Sequence, residues 1–135
     1  MRIGIQSGTY FGLTGYEKGL SLMKSHGFDA TDLGWFANTE TELFTADSSG
    51  FEQKLCALKR SADQAGIELW QAHGPWRYPP RDATEEDRAE RYEKMAKSLY
   101  GCAVLGCPHL VIPPLMPYGD RKRLCSDITR HSEYQ

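Results

Sequence analysis

The chain has no paired CxxC, no GxGxxG and no P-loop lysine, and it has neither a membrane-length apolar run nor an excess of basic charge. Each gap removes a class of function. Cys56, Cys102, Cys107 and Cys125 form no paired CxxC and two of them lie in helix-like stretches, which argues against a disulfide framework, and Cys102, Cys107, His109, Cys125 and His131 match no short zinc motif. With 16 Lys and Arg against 18 Asp and Glu, the formal net charge of -2 leaves no electrostatic footprint for nucleic acid. Gly8, Gly12 and Gly15 do not make a phosphate-cradling loop, so a nucleotide site is discounted. The start has no charged segment leading into an apolar signal core, and no stretch approaches the ~20 apolar residues of a membrane span. The expectation is a cytoplasmic protein with reduced thiols and no membrane partner.

What is present is an ordinary globular composition, 40% hydrophobic and 25% charged over 135 residues. Met1 to Gln6 alternates apolar with small or polar residues, as a short strand does, and Ser7-Gly8 ends it. Thr14 and Glu17 have the spacing of a capping box, after which Tyr16, Leu20 and Met23 form a buried stripe that Gly27 stops. A second strand, Phe28 to Leu33, leads through a connection containing Trp35, Phe36 and Phe44 to another box, Ser49 with Glu52. Phe51, Leu55, Leu58, Ala62 and Ala65 then step at helical spacing to Gly66, and Ile67 to Ala72 is the third strand. The third helix repeats this design, with Thr84 and Asp87 at the cap, Ala89, Tyr92, Ala96, Leu99 and Ala103 on one face, and Gly106 at the end. His109 to Ile112 is a fourth strand, stopped by Pro113 and Pro114.

Caps at Thr14, Ser49 and Thr84 and stops at Gly27, Gly66 and Gly106 describe an internal repeat of strand-then-helix units. Such alternation without hairpin signals implies parallel strands joined by right-handed crossovers. After Asp120 the pattern fails, so residues 1–120 are expected to form the domain and 121–135 an irregular or short-helical tail.

The stretches MRIGIQ, SHGFDATDLGW, QAGIEL running into LWQAHGPW, and LGCPHLVIPP resemble, in order and spacing, the amino-terminal half of sugar phosphate isomerases/epimerases. That group has the xylose isomerase-like TIM barrel and includes the apurinic endonucleases. A complete barrel takes ~250 residues, so the implied fold is an α/β half barrel, a parallel (β/α)4 unit with strands in the order 1-2-3-4. The resemblance implies a divalent metal held largely by acidic and histidine residues of later strands, which this chain lacks, so it is not expected to bind one tightly. The endonuclease relatives have a histidine at the third-strand end, where His73 stands, and another at the fourth-strand end, where this chain has Pro113 and Pro114.

In parallel α/β folds, function gathers at the carboxyl ends of strands. There the chain places Gln6 and Ser7, Asp32 with Trp35 and Phe36, and Gln71 and His73 with Trp76. Strict alternation puts Leu69, Gln71 and His73 on one face of the third strand and Trp70 and Ala72 on the other. Gln6, Asp32, Gln71 and His73 then make an unusually polar interior, suited to a hydroxyl-rich sugar or sugar phosphate. His73 is the best candidate for a metal or substrate contact, because imidazole serves both near pH 7. Trp35, Phe36 and Trp76 are candidates for a wall against a sugar ring and as readily core, whereas Arg77 and Arg81 read as solvated loop cations.

Three functions are compatible with the sequence. The first is the amino-terminal half of a metal-dependent isomerase or epimerase, incomplete as a catalyst, with a metal-dependent phosphodiesterase of the endonuclease kind as a variant. The second is a truncated, non-catalytic half barrel that pairs with a second copy through its open edges. The third is a complete flavodoxin-like domain, which strand order 2-1-3-4 would support.

Overall fold

Three glycines punctuate the chain. Gly27, Gly66 and Gly106 have φ of 88°, 68° and 66°, a region open to glycine at little cost, and each ends a helix shortly before a strand begins. A computed structural model describes residues 1–75 and 84–112. Its elements are β1 (Gly4–Gln6), α1 (Gly8–Ser25), β2 (Ala30–Leu33), α2 (Glu42–Thr45), α3 (Ser48–Ala65), β3 (Glu68–His73), α4 (Glu85–Leu105) and β4 (His109–Val111), with a 3-10 turn at Gly34–Phe36 after β2. The tail and the residues Trp76, Arg77, Arg81, Pro113 and Pro114 lie outside the described residues.

All three strand pairs are parallel, and the sheet order is β1-β2-β3-β4. Sequential order removes the flavodoxin-like alternative, in which the first strand is interior. Leu20 and Met23 of α1, Leu55 and Leu58 of α3 and Leu105 of α4 are essentially fully buried with Leu33, Leu69 and Ala72 of the sheet. Burying each such leucine contributes ~1.5–3 kcal/mol. The other sheet face carries a cleft lined by strand residues.

Two of the three expected caps differ. Helix α1 begins at Gly8 and kinks at Gly15 (φ 76°, ψ 168°), while the Thr14 hydroxyl donates to the Tyr10 carbonyl (2.9 Å) and caps nothing. For α3 the cap is Asp47, whose carboxylate accepts from the Gly50 N–H (2.7 Å). Two residues matter here, because Asp47 reaches the first turn and Ser49 already lies inside it. Thr84 and Asp87 do form the reciprocal box, at 3.1 and 3.2 Å.

The face of α4 is reversed from the expectation. Arg91, Ser98, Gly101, Cys102 and Leu105 are buried, whereas Tyr92 and Leu99 are 54% exposed. Close approach is the reason. A Cβ on Gly101 would lie 2.7 Å from Phe36 Cζ and 3.4 Å from Phe51 Cζ, so aromatics from the turn after β2 and from α3 fill the space that an α4 side chain would take. Lys97 fastens this contact: its ammonium donates to the Phe44 and Ala46 carbonyls (3.2 and 3.1 Å) and lies 4.7 Å from the Phe51 ring centroid.

Gly101→Ala tests that packing, since a helix interior gains ~1 kcal/mol from alanine and overpacking costs ~1–3 kcal/mol. With Phe36 held on both sides, the cost should win, and urea denaturation should show a variant less stable than the parent. Stability equal to or above the parent would refute the tight contact.

Candidate functional site at the carboxyl ends of the strands

The pairing of β2 with β3 is out of step by one residue. Thr31 faces Leu69 but Asp32 faces Gln71, so Trp70 is an extra residue on β3, a bulge. Strict alternation therefore fails at this point. Leu69 and Ala72 both turn into the core, and Trp70 is 47% exposed on the open face with Gln71. There it meets the His109 ring edge-on at 5.0 Å between centroids. The expected grouping of Leu69 with Gln71 and His73 is corrected, because the bulge turns Leu69 toward the helices.

The bulge brings Gln71 and His73 onto one carboxylate. Asp32 Oδ2 accepts from Gln71 Nε2 (3.2 Å), and Asp32 Oδ1 lies 3.0 Å from His73 Nδ1. An ionised carboxylate only accepts, so His73 donates from Nδ1–H. In the neutral ring the other nitrogen, Nε2, then carries the lone pair and can accept a proton, a hydrogen bond from a substrate hydroxyl, or a metal ion. Both side chains are partly open, at 34% for His73 and 25% for Asp32, so the pair is held yet reachable.

Gln6 is placed by its surroundings at the end of β1. Its Oε1 accepts from the Gly8 N–H (2.8 Å), and a Cβ at Gly34 would stand 2.8 Å from its Nε2, so glycine at 34 leaves room for the amide. Ser7 is buried between the two strand ends. Its hydroxyl accepts from the Gly34 N–H (3.0 Å), and its own N–H donates to the Asp32 carbonyl (2.9 Å). Together these bonds lock the turn after β2 to the end of β1.

Gly4, Gln6, Ala30, Asp32, Trp70 and Gln71 line a cleft of about 300 Å³ on the open face. A larger depression, about 560 Å³, lies at the amino ends of the strands. Its charges are taken up by the ion pairs Arg2–Glu68, Lys24–Asp29 and Lys59–Asp63. The Ile3 N–H holds the Asp29 carboxyl below its ordinary value, with Lys24 assisting, as suits a structural end of the sheet.

Of the residues singled out from sequence, Asp32, Gln71 and His73 come together, and Gln6 lies in the same cleft lining as Asp32 and Gln71. Trp35 stands at that end of the sheet against the Tyr16 ring, 5.9 Å between centroids. Phe36 is corrected: it is fully buried in the core against Gly101 and Phe44 and offers no wall to a ligand. Trp70 was missed as an open-face residue, since alternation carries no signal for a bulge. Among the described residues, no three His, Cys, Asp or Glu side chains converge to hold a metal ion. No helix among them is long and apolar enough to cross a membrane.

No family model and no curated protein matches the chain. Solved structures do. Two sugar phosphate isomerases/epimerases from Parabacteroides distasonis ATCC 8503 superpose over 94% of this chain, with TM-scores of 0.57 and 0.55 at 17% and 19% identity. The chain spans 47% and 44% of their lengths, about half of each. At these identities the likeness is one of fold: four parallel strands in sequential order alternating with helices, as in half of a TIM barrel.

Asp32→Ala should change which nitrogen of His73 carries the proton. Long-range proton–nitrogen NMR of the neutral ring should show Nδ1–H in the parent and a shift toward Nε2–H in the variant. An Nε2–H ring in the parent would overturn the Asp32–His73 donor assignment.

Proposed function

We propose that this chain forms one wall of the substrate site of a sugar or sugar phosphate isomerase/epimerase-like barrel. The Asp32 carboxylate shared by Gln71 and His73, at the carboxyl ends of parallel strands, is the observation that carries this reading. Isomerisation and epimerisation move a proton or hydride next to a carbonyl, and His73 Nε2 would take or return that proton. Asp32 would hold the reactive tautomer and stabilise the imidazolium that forms. Gln6 and Gln71 would hydrogen-bond substrate hydroxyls, with Trp35 flanking the sugar ring. The phosphodiesterase variant is less favoured, because His109 opens β4 instead of closing it.

The divalent metal implied by the resemblance would polarise the carbonyl oxygen. Asp32 and His73 fall short of the donor set for tight binding, so further donors would have to come from outside this chain's described residues. A cytoplasmic location is in keeping with the free thiols of Cys56, Cys102 and Cys107.

Titrating the full chain with aldose and ketose phosphates, followed by amide and side-chain NMR, tests the site. Shifts should cluster at Gln6, Asp32, Gln71 and His73 and shrink severalfold in Gln71→Ala. Shifts elsewhere, or none at millimolar ligand, would overturn the assignment.

A second reading, self-association, rests on a separate observation. Among the described residues no strand covers the outer edge of β1 or of β4, and apolar side chains stand exposed on the elements at both ends of the chain order: Ile3 before β1 and Leu13 on α1, and Tyr92 and Leu99 on α4 with Val111 on β4. A second copy related by a twofold axis along the strands would set β4 beside its β1, and β1 beside its β4, with all strands parallel. Sedimentation velocity should show a dimer that Tyr92→Glu combined with Leu99→Glu dissociates without loss of helical circular dichroism. A parent chain that stays monomeric at all concentrations would sink this reading.

A further inference from the structure

The end of α4 closes with two backbone bonds: the Cys107 N–H donates to the Cys102 carbonyl (2.9 Å) and the Gly106 N–H to the Ala103 carbonyl (3.2 Å). Gly106 is in the left-handed region between them. This is the Schellman arrangement, in which the side chains at the two ends of the six-residue closure characteristically touch. Here both are cysteines. Cys102 and Cys107 are 5% and 6% exposed, and the backbone bond between them sets the two residues side by side at the end of the helix. The Cys107 thiol also points at the His109 carbonyl (3.5 Å), at the first residue of β4.

We propose that Cys102 and Cys107 are a redox-labile dithiol that hydrogen peroxide converts to an intramolecular disulfide. The backbone closure brings the two residues together without help from the rest of the fold, and the side-chain approach that accompanies this closure is the one that disulfide partners need. Nothing in the sugar-site reading uses either cysteine. Cys107 is the attacking group: the neighbouring Cys102 holds its thiol below the ordinary value, whereas Cys107 and burial push Cys102 up. The Cys107 sulfur attacks one peroxide oxygen, the O–O bond breaks, and the departing hydroxide takes the Cys107 proton to leave as water. The Cys102 sulfur then attacks the resulting sulfenic acid, the S–O bond breaks, and the second hydroxide leaves as water with the Cys102 proton. Two thiols lose two electrons, and one peroxide is reduced to two waters.

The bond would staple the end of α4 to the residue that leads into β4. His109 at the head of β4 pairs with Gln71, so the staple lies one strand away from the Asp32 cluster.

Cys102 and Cys107 fall in one tryptic peptide, residues 98–121, while Cys56 and Cys125 fall in others. The folded full chain is exposed to a modest excess of peroxide, alkylated and digested without reductant. The 98–121 peptide should lose two hydrogens and resist alkylation until reduced, ahead of any oxidation at Cys56. In Cys102→Ser, Cys107 should stop at a sulfenic acid that dimedone traps. In Cys107→Ser, Cys102 should remain a thiol. Oxidation at Cys56 with 98–121 left reduced, or a disulfide that forms only in denaturant, would overturn the proposal. Dimedone capture at Cys102 in the Cys107→Ser chain would overturn the order of attack.

Discussion

The pairing between β2 and β3 governs what the open face can do, because one extra residue on β3 decides which side chains reach Asp32. Without that extra residue, a strand seen from either side would show every second residue. With it, Leu69 stays in the core, Trp70 comes out to the open face, and Gln71 and His73 still reach Asp32. The bulge thus reconciles two demands on a short strand. It must bury leucine and alanine in the core on the helix side while it offers an amide and an imidazole to a carboxylate on its neighbour. Bulges occur beside active sites for this reason: they re-aim side chains without breaking the sheet.

The two ends of the sheet are built for different work. At the amino ends, basic and acidic side chains satisfy one another across strand and helix, and the stems of Lys24 and Lys59 approach Gly66 and Gly106, the residues that end α3 and α4. Such exposed pairs add little stability individually, but they leave no charge seeking a ligand. At the carboxyl ends the polar groups are also bonded, yet Asp32 and His73 keep part of their surface open and His73 retains one nitrogen without a partner in that pair. That contrast, and not the larger volume at the amino ends, is what favours the carboxyl end as the functional one.

Much of this was legible from residue types. Glycines that accept positive φ marked the ends of all three long helices, and the stripe Phe51, Leu55, Leu58 and Ala62 gave the inner face of α3 correctly. Asp32, Gln71 and His73 were also placed together. What escaped were features fixed by contacts distant in sequence. The apolar stripe of α4 pointed to Tyr92 and Leu99, but Phe36 and Phe51 fill the inner space and admit only the Gly101 side of the helix. Phe36 looked like a ligand wall for the same reason, since its partner lies 65 residues further on at Gly101. Trp70 was misplaced because alternation has no way to count an inserted residue.

The reversed face of α4 also bears on what the sheet needs next. A helix whose periodic apolar stripe lies outward, beside a β4 with a free edge, presents a packing surface without an occupant among the described residues. The matched proteins, about twice as long, have further chain to set against such a surface. For the Asp32–His73 pair the consequence is chemical as well as structural. With His73 Nε2 facing an open sheet, water competes for every hydrogen bond the site could make to a substrate, and an imidazole base works best where water is excluded. Closing the edges would therefore change the strength of the site without altering a residue in it.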